Sequence, residues 1–511
     1  METSPLRPIC SFFTSSSNLV NQQQNMPTLV GEFNSNEEFH AAKSDIKAME
    51  TTTVKAGPVQ DEVSLQFSSL LEVDPEQGYR ATKMDIFSCH RPHMTSFHIS
   101  WLSFFLAFLG WFALAPLMPV IKADLGLTDA QIWTANITSV LMTIFARFIV
   151  GPMCDAYGPR KLQTALMLWG AVTTAFCPLI NGPISLILIR LIIGVTGSAF
   201  VCTQYWGSSM FASNVVGTAQ AISGGWGNTG GGITQLFMPL MYEAFKAGGA
   251  DSSEAWRLAL IVPSAMLFCM AAAVYFFSVD SPLGDYAKLI KAGTKQKVAA
   301  SSSAKKGFGD PATWVLASHY AACFGVELTV NNSMTSYFVN KFGLSLLTAG
   351  TIAMCFGLMN LFARAIGGAA SDWANTKMQM RGRLIIQMFC LFFEGIMIII
   401  FSRMETVASA LPMLIIFSIF VQSAEGTTYA IVPYVQPEAM GSVTGVVGAG
   451  GNFGAVCWGL IFLFSGQDAS DCYMIIGFIV IGLSLLTPLV FLKGNHDSVF
   501  GWNPRKTLVT K

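Results

Sequence analysis

The sequence Arg-Phe-Ile-Val-Gly-Pro-Met-Cys-Asp at residues 147–155 returns as Arg-Ala-Ile-Gly-Gly-Ala-Ala-Ser-Asp at residues 364–372. Both copies follow the pattern Arg-x3-Gly-x3-Asp, and one offset of 217 residues (364−147 and 372−155) separates them. A constant offset of this size is typical of a chain built from two related halves. The repeat therefore predicts two structurally equivalent halves.

The composition around these motifs excludes most soluble functions. Of the 511 residues, 52% are hydrophobic and 12% are charged, with 30 basic and 30 acidic side chains and a mean hydropathy of +0.51. Soluble proteins carry about twice that charged fraction, so a soluble enzyme is excluded. Nucleic-acid binding is disfavoured because no excess of Lys and Arg is present. The 11 cysteines show neither a disulfide framework nor a zinc spacing, and we expect no metal or cofactor.

Apolar stretches of about 20 residues repeat from residue 97 onward, and each can cross a hydrocarbon core of about 30 Å. We count twelve such stretches. They predict an all-α membrane protein with twelve transmembrane helices in two six-helix halves. The predicted domains are a disordered cytosolic N-terminal tail at 1–90, an N-terminal six-helix bundle at 91–279, a cytosolic central loop at 280–311, a C-terminal six-helix bundle at 312–493 and a cytosolic C-terminal tail at 494–511.

The basic residues of the loops predict the orientation of the chain. If both termini are cytosolic, the inside loops hold the basic pair at 160–161, six lysines between 288 and 306, and the basic residues between 377 and 383. The outside loops then hold only five basic residues. Lysine and arginine are enriched in cytoplasmic loops, so we expect both termini inside.

The repeated arginines are candidate anion ligands. Eight residues place each arginine about 12 Å from its aspartate on the same helix face. If the aspartates lie at the cytosolic surface, Arg147 and Arg364 lie near the middle of the membrane, where each costs about 2.5–3.5 kcal/mol to insert. Two matched guanidiniums of this kind predict a shared anion site. The alternative is a structural ion pair for each arginine, with Glu327, Glu394 and Glu425 as candidate partners.

A second repeated motif combines glycine with asparagine. It reads Gly-Trp-Gly-Asn-Thr-Gly at 225–230 and Gly-Ala-Gly-Gly-Asn-Phe-Gly at 448–454, and the offset between Asn228 and Asn452 is 224 residues (452−228). Small residues let membrane helices approach closely, so the motif predicts helix packing. Ligand contact by the asparagine amides is compatible with that role.

Several segments resemble a known family. The segment Gly-Pro-Met-Cys-Asp-Ala-Tyr-Gly-Pro-Arg-Lys at 151–161 resembles the loop between helices two and three of the major facilitator superfamily, and Arg-Leu-Ile-Ile-Gly at 190–194 is similar to its helix-four motif. The two glycine-asparagine segments resemble the paired signatures of the nitrate/nitrite porter family. Residues 93–101 are similar to the start of helix one in its plant and algal high-affinity nitrate transporters. The resemblance covers about 84–493.

The resemblance implies roles for individual residues. It implies that Arg147 and Arg364 bind nitrate, that Asn228 and Asn452 approach it, and that aromatic rings sandwich it. The matching aromatic residues are Phe200, Tyr320 and Phe324.

Gating and coupling residues follow from the same resemblance. They are Asp155, Arg160, Arg190 and Asp372. The second copy of the loop lacks Gly-x-Arg after Asp372, so its latch is expected to be looser or to use Lys377, Arg381 or Arg383.

The implied function is a secondary active transporter that imports nitrate, with nitrite as a second candidate, by alternating access in a plasma membrane. A vacuolar or plastid membrane is the alternative location. An inside-negative potential opposes anion uptake by about 2.3 kcal/mol per charge per 100 mV. Uptake against a gradient therefore needs at least two co-transported cations or anion exchange. The resemblance favours protons, with sodium left open.

The expected partners are the lipid bilayer and, as known for some relatives, a candidate accessory single-span membrane protein. Two other functions stay open: a carrier for another small anion, such as bicarbonate or phosphate, and a nitrate sensor with little flux. An enzyme is not expected, because no nucleophile-base pair or metal cluster converges in the sequence.

Overall fold

The structure is a computed structural model that describes residues 71–212, 215–293, 305–436, 440–492 and 498–500. Most of the two predicted tails and the middle of the predicted central loop lie outside these described residues. The elements are β1 Val73–Asp74, β2 Arg80–Ala81, α1 His93–Phe112, α2 Met118–Leu125, α3 Asp129–Tyr157, α4 Pro159–Ala175, α5 Pro183–Ile193, α6 Ala199–Met210, α7 Val216–Ala247, α8 Ser252–Ala259, α9 Ile261–Phe277, α10 Tyr286–Lys291, α11 Pro311–Phe342, α12 Leu346–Leu358, α13 Ala363–Ser402, α14 Val407–Ile431, α15 Met440–Phe464 and α16 Ala469–Ser484.

Nine segments within the described residues are long and apolar enough to cross a membrane, judged by length and composition. One of them, at 346–402, contains two spans, because α13 bends at Gln379, where φ is 53°. The 32-residue helices α7 and α11 are also long enough to span but carry more glycine and polar residues. Together these segments make twelve spans and confirm the predicted all-α architecture.

Local sequence sets where the long helices begin and end. The hydroxyl of Thr128 accepts a hydrogen bond from the backbone N–H of Gln131, whose side chain in turn accepts one from the backbone of Thr128, forming a capping box before α3. The carboxylate of Asp310 caps α11, and Gly343 ends it with a φ of 65°. These caps position the central residues of both helices.

The two six-helix halves meet along two helix pairs, α3 with α15 and α7 with α12. Glycine permits this approach. A Cβ atom on Gly232 of α7 would lie 2.5 Å from the Cα atom of Gly357 in α12, and a Cβ atom on Gly459 of α15 would lie 2.7 Å from Ile137 in α3. Because α7 and α15 carry Asn228 and Asn452, the glycine-asparagine motifs lie at the boundary between the halves.

We call the end of the bundle where α1 begins and α16 ends the termini side, and the opposite end the far side. The strands β1 and β2 form an antiparallel hairpin on the termini side. Ala81 of β2 bridges Phe211 at the end of α6, and its carbonyl accepts a hydrogen bond of 2.9 Å from the backbone N–H of Ala212. These backbone contacts attach the hairpin to the bundle. The hairpin lies within residues 71–90, which belong to the predicted disordered tail. Residues 1–70 lie outside the described chain.

Candidate functional site

Arg147 lies on α3 at the boundary between the halves, and its side chain is 1% exposed. Its Nη1 atom donates a hydrogen bond of 2.7 Å to the carbonyl of Gly448 in α15, and its Nη2 atom donates one of 3.2 Å to the carbonyl of Gly197. Its Nε atom has no hydrogen-bond partner among the described residues, and none of the carboxylates described lies within ion-pair distance. The charge of Arg147 is therefore buried without a counter-ion in the described chain.

Two of the predicted aromatic rings frame this guanidinium. Its carbon atom lies 5.2 Å from the ring centroid of Phe200 in α6 and 5.3 Å from that of Phe324 in α11. The two rings are inclined by only 26°, with centroids 6.4 Å apart. Cation–π attraction stabilises a guanidinium in such a position. One ring comes from each half of the chain.

Tyr320 stacks on Phe324 with centroids 5.0 Å apart, one helical turn away on α11. Tyr429 of α14 packs edge-on against both Tyr320 and Phe200, at 5.1 and 5.8 Å. The structure thus brings Phe200, Tyr320 and Phe324 together, and it adds Tyr429, which the sequence analysis did not identify because no motif marks it.

Arg364 lies on α13, 4% exposed, and differs from Arg147 in its partners. Its Nη2 atom forms a direct ion pair with the carboxylate of Glu425 in α14 and lies 3.9 Å from Glu327 in α11. Both glutamates are wholly buried. Arg364 therefore has the carboxylate partner that the predicted alternative gave to each arginine, whereas Arg147 has none among the described residues.

Glu327 is held by amides from both halves. Its Oε2 atom accepts a hydrogen bond of 3.3 Å from Asn228 of α7, and its Oε1 atom accepts one of 3.0 Å from Asn360. Asn228 therefore reaches the second half of the chain through a carboxylate. Asn452 instead donates to the carbonyl of Gly448 on its own helix, at 3.2 Å. The side-chain oxygens of Asn228 and Asn452 have no partner among the described residues.

Two glycines let the arginines approach the opposite half. A Cβ atom on Gly224 would lie 3.2 Å from the Nη1 atom of Arg364, and one on Gly448 would lie 3.5 Å from the Nη1 atom of Arg147. Both positions also adjoin the ring of Phe200. The two glycines are 224 residues apart (448−224), the same offset as the asparagines, so the repeat could have identified them.

Arg160, one of the predicted loop residues, forms a separate cluster with Asp280 and Asp285 on the termini side. Arg160 pairs with Asp285 at 3.1 Å, and its backbone N–H donates to the carboxylate of Asp280 at 2.9 Å. Burial raises the pKa of Asp280 above its ordinary value, although backbone donors from Tyr286 and Arg160 act in the opposite direction. The side chain of Asp155 lies outside the described part of the structure. Neither Asp280 nor Asp285 was identified from the sequence.

In the second half, Asp372 pairs with Arg383 at 2.6 Å, and Arg383 also donates to Ser371 at 3.3 Å. Arg383 is one of the three basic residues predicted for this latch. The structure does not bring Arg190 to the central arginines, because it lies nearer the far side. Glu394 is buried in α13 without a hydrogen-bond or ion-pair partner in the described chain. No cluster of three or more metal-ligand side chains occurs in the described part of the chain.

The central site therefore contains two guanidiniums, two carboxylates and four aromatic rings, drawn from both halves. Guanidinium groups bind planar oxyanions through forked hydrogen bonds. An anion that approaches Arg147 meets no competing carboxylate in the described residues, whereas one that approaches Arg364 competes with Glu425. The arrangement can bind one small anion and one or two protons.

Comparisons with known proteins identify the family to which this chain is similar. A sequence profile of the Major Facilitator Superfamily matches residues 100–459. The chain is 41% identical over 392 residues to "High affinity nitrate transporter 2.5" of Arabidopsis thaliana, and the alignment covers 77% of this chain and 78% of that relative. It is 40% identical over 412 residues to "Nitrate transporter 2.1" of Chlamydomonas reinhardtii, and this alignment covers 79% of this chain and 75% of that relative.

A solved structure has a similar fold. It is a bacterial homolog of the human lysosomal transporter Spinster in an inward-facing and occupied conformation, with a TM-score of 0.58 and 15% identity. The match covers 79% of this chain and 98% of that one. At this identity the likeness concerns the fold alone.

Proposed function

This chain belongs to the Major Facilitator Superfamily, a family of membrane transporters, and on that premise we propose that it imports nitrate by proton symport. Nitrite is a second candidate substrate. The named nitrate transporters among its relatives support this proposal, as does the chemistry of the central site.

The observation that carries the proposal is the buried guanidinium of Arg147, which has no carboxylate partner in the described chain and is framed by Phe200 and Phe324. A buried charge is costly unless it is paired. A transported anion would supply the missing negative charge. Nitrate is flat, singly charged and weakly hydrated, so its loss of water is cheaper than that of a more highly charged anion such as a phosphate dianion.

Proton coupling is supported by the carboxylates beside Arg364. Glu425 occupies the position that an anion needs in order to reach Arg364. Protonation of Glu425 removes its charge and leaves Arg364 able to bind the anion. Glu327 lies beside the same arginine and provides a second acceptor. Protonation and nitrate binding would therefore favour each other.

The charges also suggest a stoichiometry. With Glu327 and Glu425 ionised, the two arginines and two glutamates sum to zero. One nitrate with two protons brings the loaded site to a net charge of +1. An inside-negative potential then drives the loaded carrier inward by about 2.3 kcal/mol per 100 mV. Two titratable carboxylates match the minimum of two cations that uptake against a gradient requires.

In this proposal the two halves rock about the central site, which lies between them, and expose it alternately to each side. The ion pairs of Arg160 with Asp285 and of Arg383 with Asp372 lie on the termini side, one associated with each half. We propose that both termini face the cytosol of a plasma membrane, because the basic residues of the loops concentrate on that side.

The test is reconstitution of the full chain in liposomes with an inward proton gradient and an inside-negative potential. We expect labelled nitrate to accumulate together with internal acidification. Nitrate binding without flux would instead indicate a sensor, and faster uptake of bicarbonate or phosphate would indicate a carrier for another anion. Nitrate uptake that is indifferent to the proton gradient would refute proton coupling.

A further inference from the structure

A third buried arginine lies between the central site and the far side. The side chain of Arg190 in α5 is 0% exposed. Its Nη2 atom donates to the side-chain oxygens of Asn136 in α3 and, at 2.5 Å, Asn332 in α11, and its Nη1 atom lies 3.4 Å from the carbonyl of Trp111. Among the described residues, its Nε atom has no hydrogen-bond partner and no carboxylate lies within ion-pair distance of its guanidinium. Only neutral oxygens satisfy this cation in the described chain.

The position of Arg190 relates it to the central site. It lies seven residues before Gly197, whose carbonyl binds Arg147, so about 10 Å separates the two levels along the helix axis. Asn332 lies eight residues beyond Phe324 on α11, which corresponds to about 12 Å. Both shifts point toward the far side, because α5 begins there and α11 ends there. The Arg190 group is therefore one step farther out along the boundary between the halves.

A cavity opens from this level toward the far side. Its volume is about 600 Å³, and its lining residues come from α2 and α3 in the first half and from α11, α15, α16 and the loop before α16 in the second. Asn136 and Asn332 are both part of the lining, and both are at least nine-tenths buried. A smaller pocket continues inward from the same two asparagines past Val140 and Thr329. Arg190 thus lies next to the inner end of this cavity, which we call the vestibule, behind the two asparagines that accept its hydrogen bonds.

The charged residues of the vestibule leave Arg190 uncompensated. Lys122 pairs with Asp129 at 2.6 Å. Lys341 donates to the hydroxyls of Tyr337 and Ser470 at 2.9 and 2.8 Å. Asp468 lies at the start of α16, where its carboxylate accepts from the backbone N–H of Asp471. The lining holds two lysines and two aspartates, whose charges cancel, so the positive charge of Arg190 sets the sign of the field at the two asparagines.

We propose that Arg190, Asn136 and Asn332 form a second, outer binding site for the same small monovalent oxyanion, which it occupies before it moves inward to Arg147. The anion replaces the oxygen of Asn332 on the guanidinium, because a charged acceptor binds a guanidinium more strongly than a neutral amide does. Asn332 belongs to the second half and Arg190 to the first, so this exchange also releases a bond that joins the halves. The inference rests on the proposed function for its substrate and direction.

The test uses two isosteric variants of the full chain in liposomes. Asn332→Asp places a fixed carboxylate on Arg190 and fills the outer site. Asn340→Asp is the matched control, because it adds the same charge on the same helix at an exposed position of the vestibule lining, eight residues farther out. We expect Asn332→Asp to lower kcat/KM for nitrate uptake from the far side at least tenfold, and Asn340→Asp to lower it less than threefold. Equal effects of the two variants would overturn the proposal.

A binding measurement separates the outer site from the central one. In an Arg147→Ala background, we expect nitrate still to raise the Tm of the purified chain at millimolar concentration, and we expect Asn332→Asp in that background to abolish the shift. Loss of all nitrate binding in Arg147→Ala, with a normal response of the unmutated chain, would show a single site and refute the inference. If the unmutated chain itself neither binds nor transports nitrate, the proposed function fails, and the substrate assigned to the outer site fails with it.

Discussion

Replacing Glu425 with glutamine removes the carboxylate that competes with an anion for Arg364. The substitution keeps the size of the side chain and mimics the protonated state. In the proposed mechanism, nitrate must displace Glu425 from the buried guanidinium of Arg364, with which it is directly paired. A hydrogen bond to a charged group contributes about 1.5–3 kcal/mol. If about 2 kcal/mol of this opposes nitrate at a pH where Glu425 is ionised, Glu425→Gln strengthens nitrate binding about 30-fold at that pH.

The same variant is expected to change the pH dependence. If the proposed function holds, we expect the nitrate affinity of the unmutated chain to fall as pH rises, because an ionised Glu425 pairs with Arg364. In Glu425→Gln this dependence weakens, because one titratable group is gone and only Glu327 still responds. The ratio of protons to nitrate should fall by one. Turnover should fall as well, because a side chain that mimics a bound proton cannot release it.

The assay is nitrate binding to the purified chain between pH 5.5 and 8.5, followed by paired measurements of proton and nitrate flux in liposomes. Glu394→Gln is the matched control, because Glu394 is equally buried but has no arginine within ion-pair distance in the described residues. It should leave the affinity and its pH slope unchanged. Weaker nitrate binding by Glu425→Gln at high pH, or an unaltered pH slope, would refute the competition between carboxylate and anion.

Three further outcomes test other parts of the site. Arg147→Lys should raise the KM for nitrate at least tenfold, a loss of about 1.4 kcal/mol, because an ammonium cannot bind two oxygens through a planar fork; unchanged kinetics in a correctly inserted variant would contradict the assignment. Asn452→Ala should reduce transport more than it reduces Tm, because it removes one hydrogen bond to the carbonyl of Gly448 and also an amide at the proposed anion site. Proportionate losses of transport and Tm would show that Asn452 acts only in helix packing. Asp285→Asn should raise hydrogen-exchange rates in residues 278–293 about fivefold, corresponding to about 1 kcal/mol, because the partly buried ion pair with Arg160 is lost. Unaltered exchange would show that the pair does not stabilise this segment.

The unequal environments of the two central arginines bear on how the site works. The sequence repeat presents Arg147 and Arg364 as equivalents, yet only Arg364 has carboxylate partners in the described chain. An arginine without a carboxylate partner can bind an anion at any pH at which the arginine stays charged. A paired arginine suits the part of the mechanism that responds to protons. In the proposed mechanism, this difference between the two arginines separates anion binding from proton coupling.

The site could be predicted from the sequence only in part. The arginines, the asparagines and three aromatic residues were recognisable because they fall in repeated or family-like motifs. The roles of the glutamates were not. Glu327, Glu394 and Glu425 all lie in apolar helices, and their spacing does not say which of them reaches Arg364. Tyr429 and Asp285 lie outside any repeated motif and became visible only through their contacts.

The sequence by itself determined the twelve spans and their division into two halves. These properties depend on local quantities: the length of an apolar stretch relative to the hydrocarbon core, and the rise per residue of a helix. The tertiary structure alone decided which charges are paired. Arg147 and the carbonyl of Gly448 are 301 positions apart in the chain. Whether a buried cation meets a carboxylate or only neutral oxygens depends on how helices from the two halves pack, which no local pattern encodes.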